Sequence, residues 1–231
     1  MPKISVLMPV YNGQDYIQET IQSVLGQPYD DFEYIIMDDG STDRTKDIIS
    51  SFTDPRIKLL ELEHGGIVKA LQAGLMAATG EYVIRIDADD VCEVNRFAKL
   101  ITYMDQHLEV VLCGSWATII DEQSRSVGTY TYPPEHDRDI RRYMVRHNPF
   151  IHPSIIMRRK VAMKVGGYRD FKHTEDYELW TRMLQVGKGH NIPEMLIRYR
   201  KHTAQITRKR NIRMRLVGIY VRLLAIKRLF L

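Results

Sequence analysis

The chain has 231 residues, 44% of them hydrophobic, with 33 Lys+Arg against 29 Asp+Glu for a net charge of +4. That length supports one domain with a substantial core and excludes a disordered tail or a small stapled scaffold. The charge is split unevenly: residues 201–231 hold nine Lys and Arg and no acid, leaving 24 basic and 29 acidic groups in the first 200 residues. The pI near 9.0 therefore describes a tail, which argues against a nucleic-acid footprint over the globule.

Residues 3–8 are rich in Ile, Val, Leu and Met and end at Pro9 and Asn12-Gly13, the pattern of a buried strand followed by a turn. Ile17, Ile21, Val24 and Leu25 recur at helical spacing. The unit then repeats, with a strand over Phe32–Met37, a turn at Asp38-Asp39-Gly40-Ser41, and a helix from Thr42 that contains Ile48, Ile49 and Phe52. A third strand over Arg56–Leu62 precedes a helix through Ile67, Leu71, Leu75 and Ala78, which stops at Thr79-Gly80 before a short strand, Glu81–Ile86. A helix from about Asn95 to His107 and a strand from Val110 to Trp116 follow. The stretch 117–149 is polar and mixed, Ser154–Met157 is strand-like, and Glu175–Leu184 is an amphipathic helix.

Alternating strands and helices imply βαβ units and a mostly parallel sheet. In such open sheets ligands bind beyond the carboxyl ends of the strands. Here those ends carry Pro9 to Asn12, Asp38-Asp39 and Asp87-Ala88-Asp89-Asp90.

Cys92 and Cys113 have no CxxC or His partner at metal spacing and read as reduced packing residues. Met1-Pro2-Lys3 leads straight into the first strand with no secretory leader, which predicts a cytoplasmic protein. The longest apolar run near the C-terminus, Leu216–Val221, is broken by Arg222, whereas a membrane span needs roughly 20 apolar residues.

Three carboxylates at one strand end repel unless a cation neutralises them, and a divalent ion with oxygen ligands does so. The alternative for Asp87, Asp89 and Asp90 is an acidic turn capping the next helix. An EF-hand is rejected, because its fifth, sixth and twelfth positions would fall on Val91, Cys92 and Ala98. A haloacid-dehalogenase-like phosphatase, with Asp87 as nucleophile, stands as a runner-up; its motif belongs on the first strand and its later Gly-Asp-x-x-x-Asp is missing. In the second turn, Thr42 or Ser41 can cap the helix, or an Asp at the sheet edge can accept the N–H of a base. Neither Gly-x-Gly-x-x-Gly nor a Walker phosphate loop occurs.

Pro9-Val10-Tyr11-Asn12, Asp38-Asp39-Gly40-Ser41-Thr42-Asp43, Gly80-Glu81-Tyr82 before Asp87-Ala88-Asp89-Asp90, and Glu175-Asp176-Tyr177-Glu178-Leu179-Trp180 occur in an order that resembles glycosyltransferase family 2. The resemblance extends through Asn148 to Ser154 and Tyr199-Arg200-Lys201-His202, and covers roughly residues 3–206. It implies a GT-A (Rossmann-like) α/β fold with a mostly parallel sheet flanked by helices. The expected halves are a nucleotide-sugar part over about 1–116 and an acceptor part over about 117–204.

The implied function is metal-dependent, inverting transfer of one sugar, a hexose, from a UDP-sugar to a hydroxyl of a glycan, lipid-linked or protein-linked acceptor, as in polysaccharide biosynthesis. By position, Pro9, Tyr11 and Asp39 would border the base, Asp87 would face ribose and metal, and Asp89 would ligate Mn²⁺ or Mg²⁺. Asp176 would be the general base, with Glu175 beside it. His152 would shape the acceptor site, His202 would reach the metal or diphosphate, and Trp180 would serve as a sugar platform or pack in the core. Leu71-Gln72 stands where many members carry Arg-Asn, so Lys69 or Arg85 would supply the basic donor contact; no Gln-x-x-Arg-Trp follows Asp176, which argues against processive polymerisation. A non-catalytic nucleotide-sugar-binding module is the competing reading, and both carboxylate motifs speak against it.

Residues 205–231 read as a basic amphipathic helix. Ile212, Leu216, Ile219, Leu223, Ile226 and Phe230 form a narrow apolar stripe, from which Arg210, Arg213, Lys227 and Arg228 fall away. Such a helix either lies on the inner face of an anionic membrane or docks through the stripe on its own domain or on a second copy.

Overall fold

Every residue of the first strand, β1 (Ile4–Val10), is buried, which places it at the centre of a sheet covered on both faces. The computed structural model describes residues 1–171, 173–203 and 212–230, with side chains in the last helix from Val217 onward. β1 is followed by α1 (Ile17–Leu25), β2 (Phe32–Asp38), α2 (Thr45–Ser50), β3 (Ile57–Glu61), α3 (Ile67–Ala77) and β4 (Tyr82–Arg85). The second part adds β5 (Val91–Cys92), α4 (Arg96–Gln106), β6 (Val110–Ile120), β7 (Ser126–Tyr130), α5 (Asp137–Met144) and β8 (Ile156–Arg158). It ends with α6 (Arg159–Lys164), α7 (Glu175–Met183), β9 (Lys188–Arg200) and α8 (Ile212–Phe230).

The strands form one sheet in the order β3-β2-β1-β4-β8-β6-β9-β5, with β7 on β6. The first four are parallel; beyond β4 the pairings are antiparallel except β6 with β9. Side chains alternate across the sheet as the period of two demands. Ile4, Val6, Met8 and Val10 join the cluster under α1 and α4, while Leu7 joins the one under α3 and α7. Their shared polarity pattern makes three layers.

Three sequence expectations are corrected. The second helix starts at Thr45, because Asp43, rather than Thr42 or Ser41, accepts the Thr45 N–H at 2.9 Å. The mixed stretch after residue 116 is ordered: β6 runs on to Ile120, pairs with β7, and is followed by α5. The 13-residue strand β9 has no apolar run to reveal it, since His190, Asn191 and Glu194 lie within it. Its polar Asn191 is fully buried and satisfied by the Pro134 and Pro149 carbonyls at 2.8 and 3.0 Å.

The C-terminal helix docks by the face opposite to the predicted stripe. Val221 and Ala225 are buried against the α7 side, whereas Ile219, Leu223 and Phe230 are 50%, 57% and 51% exposed. The side chains of Ile212 and Leu216, and of Arg210 and Arg213, lie outside the described residues. Arg228 turns inward, donating to Glu178 Oε1 at 2.9 Å and Thr181 Oγ1 at 2.6 Å. Among the described residues, no helix is long and apolar enough to cross a membrane.

Away from the strand ends that carry the acidic motifs, Glu33 pins three strands. It is 4% exposed and accepts from Ser5 Oγ (2.5 Å), Lys58 Nζ (2.6 Å), and the Thr79 N–H and hydroxyl (2.7 and 2.8 Å). Gly80 closes the same corner: a Cβ there would lie 2.6 Å from the Ile4 and Ser5 backbone. Burial opposes Glu33's charge, but Lys58, Ser5 and Thr79 outweigh it and hold its pKa at about 2. An unfolded glutamate titrates near 4.5, so the stabilisation is complete above that pH and is lost as pH falls toward 2. Urea titrations should show Glu33→Gln less stable at pH 7 by roughly 2–3 kcal/mol, a gap that closes in acid. A gap independent of pH would refute the assignment.

Candidate active site

The turns after β1 and β2 are built as a pair. Asn12, at φ 53°, accepts the Thr42 N–H at 2.8 Å and donates its own N–H to Ser41 Oγ at 2.9 Å. Beside them Pro9 is buried, and the half-exposed Tyr11 ring stacks on His64 with centroids 4.2 Å apart. Asp39 is buried, and its two oxygens accept the Gly65 and Gly66 N–H groups at 2.8 and 2.9 Å. Gly66 has φ 87°, a backbone that turns both N–H groups onto one carboxylate at the start of α3. Oδ2 also meets His64 Nδ1 at 2.9 Å, whereas Oδ1 keeps a further acceptor site that can take an N–H from a ligand. The Lys69 stem runs against Gly65 with its head exposed.

At the end of β4, Asp87, Asp89 and Asp90 each offer a carboxylate oxygen within 4.8 Å of the others. Arg85, only 2% exposed, clamps Asp87 with both guanidinium nitrogens. Arg200 holds the other two from behind: its N–H donates to Asp90 Oδ1 at 2.8 Å and its Nε to the Asp89 carbonyl at 2.7 Å. His202 Nε2 lies 2.9 Å from Asp89 Oδ2. Burial, then the neighbouring Asp89 and Asp87 charges, push Asp90 well above the usual carboxylate range. Burial likewise raises Asp87, with the Asp89 and Asp176 charges adding to it and Arg85 opposing. Asp90 Oδ2 is buried without a hydrogen-bond partner. An all-oxygen set with excess negative charge and an orphaned oxygen fits a hard divalent cation.

The second half of the site comes from α7 and the loop before β8. Asp176 sits in the first turn of α7, where Asn148 Nδ2 donates to its Oδ2 at 2.6 Å and the Tyr177 N–H to its Oδ1 at 2.7 Å. His152 Nδ1 lies 3.9 Å from Asp176, and its Nε2 is 3.1 Å from the Tyr168 hydroxyl. Burial, reinforced by Arg85, lowers the His152 pKa well below the ordinary value, so the ring is neutral. Burial raises Asp176 despite the Tyr177, Asn148 and Arg85 contacts; burial and the Asp176 charge push Glu175 up to about 7. The Arg85 charge acts on Asp87, Asp90, Glu175 and Asp176 alike, so the strand-end cluster and the α7 carboxylates lie around one buried cation.

Two expectations are corrected by burial. Trp180 is fully buried, edge-on to His152 and Phe150, with no face open to a sugar; it backs the His152 ring instead. Arg85 is consumed by Asp87 and points no free guanidinium at a donor. Four further residues shape the site. His64 covers Tyr11, Asn148 holds Asp176, and Arg200 props the acidic cluster. Arg96 joins the Arg85 carbonyl to the Pro153 carbonyl at 2.9 and 2.6 Å, tying the β4 end to the His152 loop. Asn148 and Arg200 fall inside the sequence motifs noted above, which was the available signal; nothing local marks His64 or Arg96. Gln72 accepts the Tyr168 N–H at 2.8 Å and so ties α3 to the loop before α7.

A model of the family described as Glycosyl transferase family 2 matches residues 5–166. A relative from Escherichia coli, named UDP-Gal:alpha-D-GlcNAc-diphosphoundecaprenol beta-1,3-galactosyltransferase, is 32% identical over 212 residues, 88% of this chain and 77% of its own length. The fold is similar to S. aureus TarS 1-349 in complex with UDP-GlcNAc (TM-score 0.77, 20% identity, 93% of this chain and 65% of that one). It is also similar to the mannosyltransferase PcManGT from Pyrobaculum calidifontis in complex with GDP-Man and Mn2+ (TM-score 0.68, 18% identity, 99% and 72%). The chain thus covers less than two thirds of the TarS fragment.

The site is stored at the expense of stability. Glu175 is 6% exposed, its Oε2 has no partner, and its pKa of about 7 exceeds the ordinary 4.5. Below pH 4.5 both folded and unfolded forms are protonated; as pH rises through 7 the unfolded chain gains more from ionisation. Glu175→Gln should therefore be more stable than the parent at pH 8, by on the order of 1–3 kcal/mol, and equal to it near pH 4. Thermal melts in chelator at the two pH values decide this, and a variant that gains nothing at pH 8 contradicts it.

Proposed function

The chain belongs to glycosyltransferase family 2, and from that premise we propose that it moves one hexose from a UDP-sugar to an acceptor hydroxyl with inversion at the anomeric carbon and with Mn²⁺ or Mg²⁺ at the diphosphate. The observation that carries this reading is the pairing of Asp176 with the Asp87–Asp89–Asp90 cluster around one buried cation, Arg85. A transferase that works by direct displacement needs one base on the acceptor side and charge neutralisation on the leaving-group side, and no nucleophilic triad. This site offers those two functions from two different segments.

Asp39 and Tyr11 border the base, Asp39 accepting its N–H and the Tyr11 ring covering its face once His64 yields. Pro9 shapes the floor, and Lys69 supplies the exposed charge nearest the loop 64–66. Asp89, with His202 and Asp87, holds the divalent ion, which when bound offsets the negative charge of the departing diphosphate. Asp176 takes the proton of the acceptor hydroxyl while that oxygen bonds to the anomeric carbon, and the bond from that carbon to the diphosphate oxygen breaks with its electron pair on the diphosphate. Asn148 keeps Asp176 Oδ2 aimed by its 2.6 Å donation. Neutral His152, braced by Tyr168 and Trp180, forms the acceptor wall and leaves Asp176 as the proton's destination. Glu175, with its pKa pushed up to about 7, keeps its proton below neutral pH and there spares Asp176 a second adjacent charge.

The E. coli relative's name includes a UDP-galactose donor and TarS binds UDP-GlcNAc, which supports a UDP-sugar here; PcManGT with Mn2+ supports a divalent ion. For acceptor class, the E. coli relative's diphosphoundecaprenol favours a lipid-linked glycan over a protein.

The decisive test is a pair of substitutions read by two assays. Asp176→Asn should lower transfer by about 10²–10⁴-fold while leaving the Mn²⁺-dependent thermal shift by UDP-sugar intact. Asp89→Asn should lose both. Transfer at the parental rate by Asp176→Asn removes the base assignment, and no thermal shift with any UDP-, GDP- or dTDP-sugar removes the donor reading.

A further inference from the structure

A groove of about 760 Å³ runs between α5 and α8, on a part of the surface that the donor reading does not use. Its α5 side carries Arg142, Arg146, Tyr143 and His147; its α8 side carries Ile226 and Phe230. Those two are the last members of the outer α8 stripe, which continues along the helix through Leu223 and Ile219 and leaves the latter two and Phe230 half exposed or slightly more. Arg222 and Lys227, both exposed, flank the stripe on either side, as 3.6 residues per turn requires. The stripe faces away from Val221 and Ala225, which already hold α8 to the domain, and among the described residues Ile219, Leu223 and Phe230 remain half exposed or more.

The polar wall is cationic and largely unspent. Arg146 has no acidic partner among the described residues, and Arg142 meets only Asp139 at 3.7 Å, with both side chains more than half exposed. An exposed pair of that kind holds its partner weakly. One end of the groove adjoins the loop that serves Asp176: His147 lines the groove, and the next residue in the chain is Asn148, which donates to Asp176 Oδ2. The same end is clamped to the base-bearing helix by the Tyr177 hydroxyl, which donates to the Met144 carbonyl at the end of α5.

We propose that this groove binds the lipid end of the acceptor: a sugar carried on the phosphate or diphosphate ester of a long hydrocarbon alcohol. The phosphate oxygens meet Arg142, Arg146 and His147. The hydrocarbon lies along Phe230, Ile226, Leu223 and Ile219 toward the membrane in which the rest of the chain is dissolved. The sugar hydroxyl is thereby presented past His147 and Asn148 to Asp176. Bidentate guanidinium donation suits phosphate, and an apolar stripe with flanking cations suits the lipid–water boundary. This rests on the transferase reading and names its acceptor.

The test is co-sedimentation of the full chain with phosphatidylcholine vesicles carrying a long-chain polyprenyl diphosphate. Two control vesicle sets replace it with the neutral polyprenol, or with phosphatidylglycerol at matched charge. The parent should bind the diphosphate vesicles well above both controls. The double variant Arg142→Ala/Arg146→Ala, and separately Leu223→Ser/Phe230→Ser, should each weaken that binding by about tenfold or more. Both should keep the parental thermal shift with UDP-sugar, which shows that the variants are folded and that the donor reading stands apart from this result. Three outcomes overturn the proposal: variants that bind like the parent, equal recruitment by phosphatidylglycerol, and no recruitment of the parent. Concentration-dependent dimerisation that Leu223→Ser/Phe230→Ser abolishes and the diphosphate lipid does not displace would assign the stripe to a second copy and also overturn it.

Discussion

One buried guanidinium organises this molecule's chemistry. Arg85 ends β4 with almost no exposed surface, where an unpaired cation would be costly, and Asp87 neutralises it directly. Asp89, Asp90, Glu175 and Asp176 crowd the same region, and among the described residues no Lys or Arg side chain pairs with them, His202 alone meeting Asp89. The pocket is therefore short of positive charge, and low polarity makes that shortage strong. It is met in part by protons, which Glu175 and Asp90 retain to higher pH than ordinary carboxyls, and it leaves Asp89 and its neighbours suited to a divalent ion. His152 does not relieve the shortage, because burial and the Arg85 charge both disfavour its protonated form.

The geometry of that pocket is set by residues that never need touch a substrate. Arg96 and Arg200, both almost fully buried, bond to backbone carbonyls at 2.6–2.9 Å and fasten the β4 end to the loop 152–154 and to β9. Glu178 is fully buried two residues beyond Asp176 and is held by Arg182 from its own helix and Arg228 from α8. Removing either arginine leaves a buried carboxylate short of partners, which is far more costly than loss of an exposed pair. The C-terminal helix is thus mechanically part of α7, the helix whose first turn presents Asp176. Attachment of α8 to a lipid surface would orient that helix, and with it the base, relative to the membrane.

Local pattern carried the first half of the fold. Apart from the two-residue β5, strand and helix positions through α4 agree with the apolar periodicity to within a few residues, because β1, β2 and β4 are buried throughout and each helix buries one side. The later strands defeat periodicity. β9 alternates polar and apolar residues irregularly because it pairs with β6 through register shifts and buries Asn191 against two proline carbonyls. On α8 the apolar residues surround much of the helix, so spacing singled out one stripe while packing used the other.

Sequence by itself determined where the candidate residues stand: Asp39, the Asp87–Asp90 cluster, Glu175 and Asp176 lie at strand ends and a helix start, where backbone topology alone brings charged side chains to one edge. Tertiary structure decided what each can do. Whether Arg85 is free or spent, whether Trp180 is a platform or a wall, and which face of α8 meets solvent depend on contacts between residues dozens to hundreds of positions apart. Those contacts set burial and charge balance, and neither quantity is a property of a residue or its neighbours in the chain.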